Sequence, residues 1–324
     1  MDADPFADCL ILTGPTGSGK SGLALDLAER LDAEIVCADS MTLYRGMDIG
    51  TAKPCSTDRA RVPHHLLDVL DPWESASVAW WLARAAECVA DLAARGKQAL
   101  FVGGTTLYLD AVLHGMFDGP AADEAIRQRL GEDAERDGVQ ALHARLRAVD
   151  PVAAGRIHAN NVRRVIRALE VHELTGRPIS EWQTQKQQER PSAFADRCLA
   201  LDLPRATLYE RIDARVLAMF DAGLVEEVRA LVASPRGLGP QAGQGLGYKE
   251  LLPHLAGVMT RAQAVAEIQT RSRNFAKRQM TWFRHLPGCR LVAPELTFGL
   301  WEPRMRSRAS FPFRPASSVL DSMV

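Results

Sequence analysis

Residues 14–21 read Gly14-Pro15-Thr16-Gly17-Ser18-Gly19-Lys20-Ser21, a complete G-x-x-x-x-G-K-[ST] pattern. Glycines at these places let backbone N–H groups close around phosphate oxygens at a helix N-terminus. Lys20 would neutralise the outer phosphate, and the Ser21 hydroxyl would meet a magnesium ion (Mg2+). This chemistry grips a diphosphate or a triphosphate; the loop alone does not say which, or what is done to it. A second group of interest is Asp39, in Ala38-Asp39-Ser40-Met41-Thr42. From spacing alone it has two roles open to it: a carboxylate for Mg2+, or a general base toward an acceptor.

Both groups need a scaffold, and the pattern supplies one. Cys9-Leu10-Ile11-Leu12-Thr13 is short and apolar, as a buried parallel strand should be. Residues 21–31 carry apolar side chains at helical spacing. Glu34-Ile35-Val36-Cys37-Ala38 reads as a second strand, 77–95 as a helix ended by Gly96, and Gln98 to Val102 as a strand running into Gly103-Gly104-Thr105. This alternation predicts an α/β fold, a P-loop NTPase-like parallel sheet flanked by helices. Ligands bind outside the carboxyl ends of such strands, which brings Asp39 and Thr105 near the phosphate loop.

The pattern changes near residue 117. Residues 123–190 show helix signals and almost no strand signal, with breaks at Gly138, Asp150-Pro151, Asn160-Asn161 and Gly176-Arg177-Pro178. They read as an all-helical insertion domain, 117–196, within a catalytic core made of 1–116 and 197–300. Arg197 to Leu203 reads as a strand returning to the sheet. Helices follow at about 205–222, 223–233, 247–255 and 261–285. The last residues, 301–324, read as a disordered tail.

Composition narrows the function class. Net charge is −1 over 324 residues, so polyanion binding must come from local basic clusters. The six cysteines form no C-x-x-C pair, which argues against a metal or disulfide framework. The acidic N-terminus lacks the basic-then-apolar form of a signal peptide. No apolar run approaches the ~20 residues of a membrane span. The expectation is a cytoplasmic protein without a membrane partner.

Two basic clusters stand out. Arg156, His158, Arg163, Arg164 and Arg167 lie in one segment; Arg271, Arg273, Lys277, Arg278 and Arg284 form the other, with Trp282 and Phe283 inside the run. Taken alone, either reads as a solvated helix face as readily as a phosphate clamp.

Longer stretches carry a resemblance. GPTGSGKS, ADSMTLYRGMDIGTAKP, VPHHLLDV (62–69), FVGGTTLYLDAVLHG (101–115), IHANNVRRVIRALEV (157–171), GLGYKEL (245–251) and AKRQMTWFRH (276–285) resemble the tRNA dimethylallyltransferase family, in its order and over about residues 8–290. The phosphate loop is shared by many families; DSxxxYRGMDIGTAKP is far more specific.

What the resemblance implies is a transferase. The family moves a dimethylallyl group from dimethylallyl diphosphate to the exocyclic amine of the adenosine 3′ of the anticodon, in tRNAs reading codons that begin with U. Gly14 to Ser21 would then hold a diphosphate leaving group, with Arg215 reaching it and Ser21 on Mg2+. Asp39 matches the family's base, Thr105 lies near the reacting centre, and Lys20 steadies the leaving charge. Contacts to a tRNA anticodon stem-loop would come from Asp39, Ser40, Met41, Thr42 and Thr105, from Arg163, Arg164, Val165, Ile166 and Arg167, from Gln244, Gly245, Leu246, Gly247, Tyr248 and Lys249, and from Lys277, Arg278 and Arg284. The helical insertion would suit a clamp over the anticodon arm, and the family is usually monomeric.

Thr42 departs from the family pattern, where many members carry glutamine. An amide can bond two edges of an adenine, whereas a hydroxyl serves one or two points. No Cys/His pairs follow residue 289, so the zinc finger of some eukaryotic relatives is absent and the pattern is bacterial in type. A small-molecule P-loop kinase would account for the loop and Asp39 but not the basic clusters. An isopentenyltransferase acting on free AMP would need no insertion.

Overall fold

Short apolar runs make the strands on which the site is laid. The computed structural model describes residues 4–116, 119–187 and 197–308. Six strands form one parallel sheet: β1 Leu10–Thr13, β2 Ala33–Cys37, β3 His64–His65, β4 Gln98–Gly103, β5 Cys198–Leu201 and β6 Cys289–Val292. Their order is β3-β2-β4-β1-β5-β6. Leu10, Ile11 and Leu12 are at most 1% exposed, because helices cover both faces of a parallel sheet and leave no polar side.

Helices α1 Lys20–Leu31, α2 Ser56–Arg61, α3 Val78–Ala94 and α4 Thr106–His114 follow the early strands. Ser77 caps α3 by accepting the Trp80 N–H at 3.0 Å. Trp81 is fully buried, stacks on Tyr108 with centroids 4.2 Å apart, and donates its indole N–H to the Cys37 carbonyl at the end of β2. One side chain thus pins α3 and α4 to the strand that leads into Asp39.

The chain divides into two units, Met1–Leu113 with Ser192–Val324, and His114–Pro191. The second holds α5 Glu124–Asp137, α6 Val139–Val149, α7 Pro151–Arg156, α8 Val162–Thr175 and α9 Ile179–Gln187. Its core is apolar, with Leu130, Leu146, Val165 and Ala168 at most 1% exposed. Asp150 is buried and caps twice, accepting Ala153 N–H at 2.8 Å and Ser180 N–H at 2.9 Å. The end of the helical pattern read from the sequence, 188–196, lies outside the described residues.

After β5 come α10 Arg205–Asp221, α11 Leu224–Ala233, α12 Tyr248–Leu255 and α13 Arg261–Phe283. The C-terminal region corrects the sequence reading. Residues 301–308 are not loose: they continue α14, Thr297–Arg308. Trp301 is fully buried in a cluster with Ala24, Leu27, Ala28 and Leu31 of α1, and Arg30 lies over the Phe298 ring at 4.4 Å. One large aromatic outweighs the polar composition around it. Residues 309–324 of the expected tail lie outside the described residues. Among the described residues, no helix is long and apolar enough to cross a membrane.

Candidate active site

The strand order places three segments side by side. β4 lies between β2 and β1, so Gly103-Gly104-Thr105 emerges between Asp39 and the phosphate loop. With neighbouring strands ~4.8 Å apart, Asp39 lies two strands, about 10 Å, from that loop. Gly103 is required by a close approach: a Cβ there would lie 2.0 Å from the Ala38 carbonyl oxygen. The Thr105 N–H donates to that same carbonyl at 3.2 Å. The Thr105 hydroxyl accepts the Ser40 N–H at 2.9 Å. Asp39 turns back on itself, one carboxylate oxygen accepting the Met41 N–H at 2.9 Å. Its other oxygen has no hydrogen bond among the described residues and is available to a substrate proton.

The loop between β1 and α1 takes its shape from glycine. Gly17 and Gly19 sit at φ 83° and 82°, where a side chain is strained. Lys20 opens α1 half-buried, with a long 3.5 Å contact to the Pro15 carbonyl. Arg215, on α10, donates to the Thr16 hydroxyl at 2.5 Å, while its buried Nε has no partner. Among the described residues neither cation has an acidic group within ion-pair distance. Loss of water pushes the Lys20 ammonium down to about 8; Asp39 pulls it up, and Arg215 adds to the lowering. Burial lowers Arg215 too, against the pull of Asp39. Two cations under-solvated beside one glycine loop could hold an anion. The Ser21 hydroxyl is exposed on the first turn of α1 with no hydrogen bond among the described residues. That suits a hard cation which keeps most of its shell in water and phosphate oxygen.

The stretch after Asp39 is scaffold. Glu227, on α11, accepts three consecutive backbone N–H groups, from Asp48 at 2.9 Å, Ile49 at 2.7 Å and Gly50 at 3.2 Å. The Tyr248 hydroxyl donates to the same carboxylate at 2.5 Å. Lys53 is only 1% exposed and donates to the Tyr44 carbonyl, Asp48 and Asp68. The most specific motif of the sequence is thus a loop held by charged hydrogen bonds. His64 and His65 are also structural, the first bonded to the Val62 carbonyl and the second to Glu34.

The residues read as RNA contacts fall into two groups. Arg163, Arg164, Lys277, Arg278 and Arg284 are exposed, with no ion pair among the described residues. Gln244 and Lys249 are exposed and bonded to each other at 3.0 Å; Gly245 and Gly247 are buried, and Leu246, Ile166, Ser40 and Met41 half-buried. The others need correction. Tyr248 is fully buried beneath the Asp48–Gly50 loop and Val165 is 1% exposed in the second unit's core, so neither side chain can reach a partner. Arg167 is a structural cation, pairing at 2.7 Å with fully buried Glu170, which also accepts Arg127 at 2.9 Å, and donating to the Pro120 carbonyl at 2.8 Å. Thr42 is 8% exposed and donates its hydroxyl to the Asp39 carbonyl at 3.1 Å, so it steadies the Asp39 turn.

Two residues that shape the site are given no role by the sequence reading. Gln279 joins the phosphate loop to Gly104. It continues a buried stripe at helical spacing, Ser272, Ala276, Gln279 and Phe283, and a neutral side chain on that stripe inside a basic run is the signal that finds it. Glu227 has no such signal, because its partners, three backbone N–H groups and the Tyr248 hydroxyl, lie far away in sequence.

Fold and site together define an α/β protein of the P-loop type, with an anion grip and a carboxylate held on neighbouring strand ends. A family model described as IPP transferase matches residues 42–286. The tRNA dimethylallyltransferase of Geobacter metallireducens is 48% identical over 280 residues, 85% of this chain and 89% of that one. The tRNA dimethylallyltransferase of Anaeromyxobacter dehalogenans is 47% identical over 88% of this chain and 94% of its own. Among solved structures, the tRNA isopentenylpyrophosphate transferase of Bacillus halodurans matches with a TM-score of 0.64 at 38% identity, covering 93% of this chain and 99% of that one. A eukaryotic dimethylallyltransferase, caught acting on tRNA, matches with a TM-score of 0.73 at 27% identity, over 93% of this chain and 77% of that one. The chain belongs to the IPP transferase family.

Proposed function

We propose that this protein transfers a dimethylallyl group from dimethylallyl diphosphate to the N6 amine of the adenosine 3′ of the anticodon in tRNAs that read codons beginning with U. The observation that carries the reading is the pairing of an unneutralised anion grip, Lys20 at the start of α1 and Arg215 from α10 beside one loop, with an Asp39 carboxylate two strands away. The gap between them suits a substrate that presents phosphate at one end and its reacting carbon at the other.

In this reaction the N6 nitrogen attacks C1 of the dimethylallyl group and the C1–O bond breaks. Its electron pair leaves with the diphosphate. The N6 proton passes to the unengaged oxygen of Asp39, which matters because the amine lone pair is delocalised into the purine. Lys20, Arg215 and the loop N–H groups meet the charge that builds on the leaving group. Mg2+ would be held at the Ser21 hydroxyl and would supply further charge neutralisation to the diphosphate. The adenosine is unstacked from a single-stranded loop, which costs little. Exposed Lys277, Arg278 and Arg284, and Arg163 and Arg164 of the second unit, would take backbone phosphates.

The test is transfer of labelled dimethylallyl diphosphate, with Mg2+, to an anticodon stem-loop bearing three consecutive adenosines, alongside free AMP. Label on the adenosine beside the anticodon and not on AMP is expected. Label on AMP alone would move the protein to free nucleotides, and label on neither would sink the transferase reading.

A further inference from the structure

Gln279 projects from α13 into the floor of the site and is 3% exposed. Its Oε1 accepts the Thr16 N–H at 2.9 Å, and its Nε2 donates to the Gly104 carbonyl at 2.8 Å. The partners fix the amide's orientation, since a backbone N–H can only donate and a carbonyl can only accept. One side chain therefore joins the loop that follows β1 to the segment that follows β4. The β1–β4 ladder ends at the pair Thr13 and Gly103. Beyond it no backbone hydrogen bond joins the two segments among the described residues, and the Gln279 amide links them. The fit is close: a Cβ on Gly104 would lie 2.5 Å from Nε2. Thr16 is gripped a second time by Arg215 from α10.

We infer that Gln279 is a positioning residue for the transfer step, fixing the phosphate loop at a set distance from the Asp39–Thr105 side. The inference rests on the transferase reading above. The carbon to be attacked hangs from a group held by the Thr16 loop. The base that takes the proton is held through Thr105, the residue after Gly104. A change in the offset between the two segments moves nucleophile and leaving group out of line, while each half-site still binds its own ligand. A carboxylate could not donate to Gly104 and an ammonium could not accept from Thr16, so an amide is the side chain that serves both.

The experiment measures single-turnover transfer to the stem-loop together with separate affinities for stem-loop and diphosphate, in wild type, Gln279→Leu, Gly104→Ala and the double variant. Gln279→Leu is expected to slow transfer about 100-fold, the scale of an ångström's misplacement. Both affinities should stay within about threefold, since neither ligand is predicted to touch the amide. Gly104→Ala perturbs the same bridge from the strand side, its Cβ crowding Gln279 Nε2 while the sequence of α13 is unchanged, and keeps the test alive if the leucine variant does not fold. The double variant should be no slower than Gln279→Leu, because both changes break one link. Wild-type transfer rates in Gln279→Leu, multiplying losses in the double variant, or a rate loss matched by lost affinity would each overturn the inference. No transfer by the wild type would overturn the functional reading itself, and the inference with it.

Discussion

The hydroxyl of Thr105 accepts the backbone N–H of Ser40 at 2.9 Å, so the end of one strand aims the carboxylate that follows the next. Asp39 supplies no structural cross-link in return beyond its own turn. Asp39→Ala is therefore expected to keep diphosphate and stem-loop affinity and lose 10²–10⁴ in transfer rate, the usual share of a general base. Equilibrium binding beside single-turnover kinetics checks this, and equal rates would remove Asp39 as base.

Lys20 gives a pH signature. Burial holds its ammonium down at about 8 against an ordinary 10.5, so the ligand-free protein loses that charge as pH rises through about 8. A bound diphosphate restores it. Diphosphate binding should take up a proton at Lys20 near pH 9 and almost none at pH 7. Without ligand, the cost of the buried cation is present below about pH 8 and is relieved as pH climbs toward 10.5. Calorimetry in two buffers of different ionisation enthalpy reads the uptake, and Lys20→Arg, which keeps its charge, should abolish it.

In the second unit, neighbouring arginines should separate cleanly. Reversing charge at Arg163 and Arg164 is expected to weaken stem-loop binding and flatten its salt dependence by about one counterion per lost contact, with thermal stability unchanged. Arg167→Ala should instead destabilise by about 1–3 kcal/mol, by stripping one partner from buried Glu170. Unaltered RNA affinity in the Arg163/Arg164 variant would mark that face as merely solvated.

Glu227→Ala removes an acceptor from three backbone N–H groups and the Tyr248 hydroxyl at once. A loss of about 2–4 kcal/mol is expected by denaturant titration, since hydrogen bonds to a charge contribute about 1.5–3 kcal/mol each and water partly replaces them. Faster exchange of the 48–50 amides should accompany it.

Most of the sheet was legible because buried parallel strands announce themselves as short apolar runs: β1, β2, β4 and β5 fall where Leu10, Ile35, Leu100 and Leu199 pointed. β3 was not, because His64 and His65 pair by backbone with Ile35 and Val36 and show no apolar signature. β6 was missed as well, because the exposed Arg290 interrupts its apolar run and only Val292 is buried. At the site, the places of the phosphate loop and Asp39 at strand ends were readable because each follows a short apolar run at a fixed spacing. Val165, Arg167 and Tyr248 were misread because sharing a segment with basic or glycine-rich neighbours says nothing about which way a side chain turns. That is decided by the helix period and by distant partners such as Glu170 and Glu227.

The seating of Trp301 against α1 has a consequence for how the protein is born. Synthesis makes the phosphate loop and its helix long before the aromatic that closes their underside. Domains tend to settle as they emerge, but here the nascent chain must wait for residue 301 before the helix behind Lys20 and Ser21 is fully packed. A polypeptide interrupted earlier would carry every catalytic group and still hold its anion grip on an unfinished foundation.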